Sequence, residues 1–515
     1  MANPIEFLRQ AFRSESDRKL VFLFASLSAL AVAAVVVFGP WKMLGVVGSA
    51  AIIWLLLTRP EAMVMALAAY TPFEPFLLKF VPDELYVFAR YLPEMLVYAL
   101  LAVAVWRVLT RRRALTPTPI DLPFVFFVVV ALTSLVLNAV PAVGGLLGLR
   151  QIIRFILLFF AVVYLAPRRK FVRNLTVVMF AVVVFESVLG IVQSFVGAPM
   201  DELLIPSEQR FFESIQLTGG TEQFWSPGTR IFATLGRYDQ LGTFLSFFGM
   251  LAVGLLYSYR ERLNRHRLTI VLAVLLPALL LTMSRASWFG FGLGLLLVGG
   301  WLLRDRRVRL GFVALVLTAV GYLAWSGLAV RYLIDRPEQT AVERLFEAFS
   351  YERWRGEYYG LGRLYWMVQT VTVVVPSSPI FGVGPGQYGG GAAAAMGNAR
   401  VYQELNLPFG VYGTEGYIDN NWFSLWGETG TLGLAFYVWM LLAVGAMSWS
   451  VYRRSSDPLV RGLALGMIGG LAAITLQAGL GTYLEVRTLA LYLWLFAACV
   501  CTLGQQEGIV ESNRG

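Results

Sequence analysis

The sequence predicts an all-α, polytopic integral membrane protein with about fourteen transmembrane helices and two sizeable extracytoplasmic loops that carry short interfacial helices. Three observations point there. Hydrophobic residues make up 57% of the 515 positions and charged residues 14%, with a mean hydropathy of +0.66, a balance far from that of soluble globular chains. Apolar runs of about 16 to 25 residues recur from end to end, the length a helix needs to cross the hydrocarbon core. The basic residues fall in small clusters between those runs, so the net charge of +10 points to anchoring at an anionic membrane face rather than to nucleic acid.

Taken in order, residues 1–196 hold seven expected spans, near 20–38, 42–57, 61–79, 91–109, 122–140, 147–166 and 172–196. The first, Leu20 to Phe38, lacks a small-residue cleavage site and reads as a retained span, not a signal peptide. Residues 197–237 form a first outer loop. Residues 238–329 hold spans near 238–258, 268–283, 286–303 and 308–329; residues 330–418 form a large outer loop, expected to be catalytic. Residues 419–515 add spans near 423–451, 460–480 and 487–503 and a cytoplasmic tail. Basic clusters at Arg9 to Lys19, Arg59, Arg111 to Arg113, Arg168 to Lys170, Arg260 to Arg267, Arg304 to Arg309 and Arg453-Arg454 then share one side, which the excess of Lys and Arg makes cytoplasmic. Both termini are expected inside and both long loops outside, where they can build one site. No sustained repeat relates the two halves, which counts against a transporter made of repeated units.

Cys499 and Cys501 lie in the last apolar run and read as packing residues, because a disulfide framework or metal site needs other spacings. The single histidine, His266, sits in a basic cytoplasmic run, so histidine-based catalysis has no obvious place.

The stretch from Gly362 to Gly433 is expected to carry the site, since long polar connections in an apolar chain are usually functional or disordered. Ahead of it, Val342, Leu345, Phe346 and Phe349 recur at helical spacing opposite Glu343, Arg344 and Glu347, an amphipathic helix for the membrane surface or for the protein's own helices. Leu364 to Val375 is too short to cross and is stopped by Pro376 and Pro379, so it reads as an interfacial or partly inserted helix with Arg363 at its start.

Arginines on the outer side run against the inward bias and therefore carry information: Arg150, Arg154, Arg230, Arg237, Arg285, Arg363, Arg400 and Arg487. A pyrophosphate is their natural partner, since guanidinium presents fixed donor pairs that match phosphate oxygens. The apolar stretch from Leu268 to Leu303 holds two spans only if it turns near Ser284-Arg285, placing Arg285 at the N-terminus of the returning helix. A cation there opposes the helix dipole unless an anion lies between them; the structural alternative is an ion pair with Asp or Glu. Arg363 faces the same choice, with Glu357 as a loop acid in reach. Arg150 and Arg154, one helical turn apart, either cradle phosphate or hold the head of a span, and Arg230 and Arg237 have Asp239 beside them. The glycines of Phe381-Gly-Val-Gly-Pro-Gly-Gln-Tyr388 would let backbone approach a ligand, and Tyr388 could stack on a sugar ring, although neither signal is specific. Asp419 would share a helix face with Trp422, Phe423, Trp426 and Gly430, opposite Glu428. It reads as a general base or, with Asn420, as a helix N-cap.

Three stretches together resemble the O-antigen ligase and O-antigen polymerase superfamily: Thr282-Met-Ser-Arg-Ala-Ser-Trp288, Arg363 through Gly386, and Asp419 through Gly433, within residues of roughly 230 to 435. One departure matters, because Asp419 stands where the ligases carry histidine. The resemblance implies a GT-C-like architecture in the bacterial inner membrane and metal-independent, inverting transfer from an undecaprenyl-pyrophosphate-linked oligosaccharide, without a cofactor. Membrane lipids and a chain-length regulator protein are the other expected partners. The residues themselves, with the resemblance adding to the case for Arg363, suggest Arg285, Arg363 and Asp419 for catalysis, with Arg150, Arg154, Arg230, Arg237, Tyr388, Arg400 and Asn420 as candidates for substrate binding. The missing histidine and the high span count favour a polymerase. A ligase or protein O-oligosaccharyltransferase using the same donor is the alternative. A lipid-linked-sugar transporter would need ionisable residues in mid-span, for which Glu186 is the main candidate.

Overall fold

The computed structural model describes residues 40–110, 114–206, 210–212, 215–216, 228–336 and 339–511. The expected span 20–38 and the clusters Arg9 to Lys19 and Arg111 to Arg113 lie outside the described residues. The chain divides into two compact units, Met1–Met63 and Val64–Gly515. In the first, helix α1 (Pro40–Thr58) opens on a proline, which suits the first helical turn, and stops ahead of the next proline, Pro60, where α2 (Pro60–Tyr70) begins.

Among its described residues, the regular structure of the second unit is helical apart from two antiparallel two-residue strands, Phe211–Phe212 and Ile215–Gln216. Its helices are α3 (Glu74–Leu78), α4 (Asp83–Leu109), α5 (Asp121–Leu137), α6 (Ala142–Ile153), α7 (Ile156–Leu165), α8 (Arg169–Val196) and α9 (Ala198–Leu204). They are followed by α10 (Tyr238–Ser258), α11 (Arg262–Leu281), α12 (Arg285–Leu295), α13 (Arg306–Ser326), α14 (Ala341–Glu347), α15 (Tyr351–Tyr359) and α16 (Arg363–Gln369). Two short helices, α17 (Gly391–Ala395) and α18 (Arg400–Glu404), lead to α19 (Asn421–Arg454), α20 (Pro458–Ala478) and α21 (Arg487–Gln506).

Eight helices among the described residues are long and apolar enough to cross a membrane, or nine if α6 and α7, bent by 54° at their junction, form one span. The protein is therefore an all-helical, multi-pass membrane protein with fewer candidate spans than the apolar runs predict. The difference has local causes. The run 61–79 breaks at Pro72 and Pro75 into α2, a 3₁₀ turn and α3. The run 122–140 yields only the 17-residue α5. The run 286–303 is the 11-residue α12 continued by a π-helical stretch, Leu296–Leu302. Hydropathy registers composition and is blind to such interruptions.

Close packing behind the site depends on small residues, as is usual where lipid supplies no hydrophobic drive between helices. A Cβ on Gly254 of α10 would stand 2.3 Å from the Gly462 carbonyl of α20, and one on Gly294 of α12 would stand 2.6 Å from the Gly469 carbonyl. Helix α21 is buried along its full apolar window, whereas α13 buries none of its own.

Helix α19 breaks at Gly430, whose φ of +69° and ψ of −173° are not helical. Into that break runs the glycine-rich stretch after α16. The amides of Val383 and Gly384 donate to the carbonyls of Gly427 and Glu428 at 2.9 Å, and Thr431 and Leu432 donate back to Pro379 and Ile380 at 3.0 and 3.2 Å. A Cβ on Gly430 would lie 2.3 Å from the Ile380 carbonyl, and one on Gly148 would lie 2.1 Å from the Gly386 amide. The close approach these glycines allow is to the protein's own backbone.

Candidate active site

Five helix starts aim side chains at one place. Met283, at φ +54°, turns the chain after α11, and Ser284 precedes α12, so that Arg285 is its first residue, as the length of the apolar stretch requires. Gly242 of α10 leaves room there, since a Cβ on it would lie 2.5 Å from the Ser287 hydroxyl. Helix α14 starts with a capping box, Thr340 accepting from the Glu343 amide while the Glu343 carboxylate accepts from the Thr340 amide. Ser350 caps α15 and Arg363 opens α16. Asn420 caps α19, its side-chain oxygen accepting from the amides of Trp422 and Phe423 at 3.0 and 3.2 Å. Asp419 is thereby released from capping, and its φ of +52°, uncommon for a residue with a Cβ, turns it away from the helix.

Together these enclose a cavity of about 500 Å³. Its polar wall has five guanidinium groups, Arg237, Arg285, Arg344, Arg353 and Arg363, against three carboxylates, Asp239, Glu357 and Asp419. Its apolar wall includes Phe289 and Leu293 of α12, Phe349, Trp354, Leu476 near the end of α20 and Leu480 just after it. A ring of charge stands behind. Glu347, with no exposed side-chain surface, pairs with Arg285 at 2.9 Å, Arg344 at 3.0 Å and Arg353 at 3.4 Å. Asp335 pairs with Arg344, with Arg353 at 3.3 Å and with Arg230 at 3.5 Å. With this ring included, six guanidiniums meet five carboxylates.

Arg363 pairs directly with Asp419 and lies 3.8 Å from Glu357. Burial raises the Asp419 carboxyl above the ordinary carboxylate range, against the pull of Arg363 and then Arg237. Burial works against the charge of Arg363, but Asp419 and Glu357 outweigh it and hold the guanidinium protonated. Burial also acts on Asp335, yet the arginines around it, Arg344 first, keep its carboxyl below the usual range.

The predicted site residues separate into two groups. Arg285, Arg363, Asp419 and Arg237 line the cavity, Arg237 also pairing with Asp239 at 3.1 Å. Arg230 lies just behind, over the Tyr238 ring at 4.7 Å. The rest are placed elsewhere. Arg150 and Arg154 pair with Glu94 at 2.6 and 3.3 Å. Arg154 also donates to the Glu485 carbonyl at 2.8 Å. Arg400 pairs with Glu404 at 2.8 Å, and Asn420 is the cap. Tyr388 is fully buried between Trp366 and Tyr402, with its hydroxyl 2.7 Å from that of Thr370, so no ring face is open to a sugar. Glu186, the main mid-span acid that a transporter would need, is buried and accepts from the amide and hydroxyl of Thr234 at 3.1 and 2.5 Å.

Arg344, Arg353 and Glu347 were missed by sequence reasoning. The helical spacing sets Arg344 and Glu347 opposite Val342, Leu345, Phe346 and Phe349, yet Arg344 and Glu347 are buried together with Phe346, while Phe349, just past the end of α14, is 68% exposed. The available signal was charge pairing, Arg344 with Glu347 at i,i+3 and Arg353 with Glu357 at i,i+4.

Residues 270–438 match the family model described as O-antigen ligase. This part of the chain is an O-antigen ligase-family domain. The ligase-family domain contains Arg285, Arg344, Arg353, Arg363 and Asp419, whereas Arg237, Tyr238 and Asp239 join the cavity from outside the matched residues. Members are membrane glycosyltransferases that perform ligase- or polymerase-type transfer of lipid-linked polysaccharide, and the family implies a lipid-linked oligosaccharide substrate. No curated protein matches the chain.

Proposed function

We propose that the protein joins undecaprenyl-pyrophosphate-linked oligosaccharide repeat units, as an O-antigen-type polymerase, at the outer face of a bacterial inner membrane. The observation that carries the reading is Asp419, turned off the start of α19 and paired with Arg363 in a cavity that combines a cluster of guanidinium groups with an apolar wall. In the reaction an acceptor sugar hydroxyl attacks the anomeric carbon of the donor, and Asp419 takes the hydroxyl proton. The new glycosidic C–O bond forms on the face opposite the breaking C–O bond, and the lipid pyrophosphate leaves with that electron pair. The arginines meet the charge as it develops on the leaving group, with donors already aimed before the reaction starts. The fully buried Glu347 supports this preorganisation by holding three of them from behind.

Transfer to a different acceptor, as a ligase does, is the second reading, favoured by the description of the matching family. Purified protein mixed in detergent with a synthetic lipid-pyrophosphate oligosaccharide separates the readings. A ladder of products supports polymerisation, and transfer only to a second added acceptor supports ligation. Movement of the donor across liposomes without any new bond would contradict both.

A further inference from the structure

We propose that Glu357 is a positioning residue that holds Arg353 and Arg363 side by side for the phosphates of a lipid diphosphate. The inference rests on the diphosphate reading of the cavity. Glu357 lies near the end of α15, and its side chain is 9% exposed. One carboxylate oxygen pairs with Arg353, one turn back on the same helix, and lies 3.8 Å from the Arg363 guanidinium. The other accepts the backbone amide of Arg363 at 2.8 Å, where α16 begins. A single carboxylate thus fixes the starting point of α16 and touches both guanidiniums, whose other partners differ: Glu347 and Asp335 for Arg353, Asp419 for Arg363.

A second observation concerns the residue before Arg363. Gly362 has φ −82° and ψ −163°, extended backbone open to any residue. Its lack of a side chain is explained by Glu357 instead, because a Cβ there would stand 2.2 Å from the carboxylate oxygen and 2.9 Å from the Glu357 carbonyl. The carboxylate fills the place a side chain would take. When an anion occupies the cavity, Arg363 can turn its front face from Asp419 to a phosphate while Glu357 retains its stem and its helix.

Gly362→Ala crowds the carboxylate without altering any charge, and its Cβ also meets the Glu357 carbonyl, which Glu357→Ala retains; a double-mutant cycle with Glu357→Ala therefore gives the part of the effect that passes through the carboxylate. The measurement is binding of inorganic pyrophosphate to the purified full-length chain by calorimetry, with donor KM and kcat alongside and a melt to establish folding. Each single variant is expected to weaken pyrophosphate about tenfold, the size of one lost charge-assisted contact. Donor KM should rise more than kcat falls. Glu357→Gln, which keeps an acceptor for the Arg363 amide, should fall between wild type and Glu357→Ala. In the Glu357→Ala background, Gly362→Ala should lose the part of its effect that passes through the carboxylate and keep only what its contact with the position-357 carbonyl causes. Equal losses in both backgrounds, or pyrophosphate bound by Glu357→Ala as by wild type, would overturn the positioning role alone. Wild-type protein that binds no pyrophosphate would overturn the diphosphate reading and this inference with it.

Discussion

Asp419 and Arg363 form a direct ion pair across the cavity, one residue turning out just before the cap of α19 and the other opening α16. The candidate base is therefore held by a candidate donor-binding group. Since burial lifts the Asp419 carboxyl above its ordinary range, the acid limb of kcat/KM should lie above that of an exposed carboxylate. A base acts deprotonated, so the rate falls as pH drops through that value. Removing the opposing cation with Arg363→Gln should move the limb further up in whatever activity remains. A pH–rate profile flat through the acid range would remove Asp419 from the proton transfer.

Arg285 and Arg363 are expected to contact the departing pyrophosphate. Lysine retains the charge and loses the paired donors, so Arg285→Lys and Arg363→Lys should each lower turnover roughly 10- to 100-fold, the cost of one bidentate charge-assisted contact. Melting temperatures should stay near wild type, because the partners Glu347 and Asp419 still meet a cation. Full activity in both variants would separate these positions from pyrophosphate recognition.

The positions of those two arginines were legible for different reasons. Arg285 follows from arithmetic, since two spans fit between Leu268 and Leu303 only if the chain turns there. Arg363 and Asp419 stood out through the wording of their motifs. What the sequence hid depends on contacts between distant segments. Arg344 is buried because Asp335 and the Arg285–Glu347 pair accept it, and a helical wheel of α14 contains neither Asp335 nor Arg285. The glycines after α16 read as a ligand loop because nothing in their spacing reveals the broken helix they fill.

Asn420 and Asp419 now have separable roles. Asn420→Ala should cost about 1 kcal/mol of stability through the lost cap, with a further loss because its amide also donates to the Gly479 carbonyl at 2.8 Å. Asn420→Asp should keep most of the cap. Thermal melts of the two variants check this.

Gly430 is the hinge on which the glycine-rich stretch rests. Gly430→Ala meets both a left-handed φ and a carbonyl 2.3 Å from the new Cβ, so it should destabilise by roughly 1–3 kcal/mol. Proteolysis within residues 379–386 should become faster than in wild type, and an unchanged cleavage rate would count against the packing described.

The orientation proposed from the basic clusters puts residues 330–418 outside. A cysteine in place of Gln339 should react with an impermeant thiol reagent in intact spheroplasts, and protection there would invert the assignment. Gln209, the matching probe in the first outer loop, lies outside the described residues.

The most direct test of the central claim is turnover of a defined lipid-pyrophosphate oligosaccharide by Asp419→Asn protein that melts as wild type does. Asn420 already caps α19, so the substitution leaves the helix start intact while it removes the carboxylate's basicity and its ion pair with Arg363. The account predicts a loss of roughly 10² to 10⁴ in rate, with pyrophosphate still bound. Turnover comparable to wild type would contradict it.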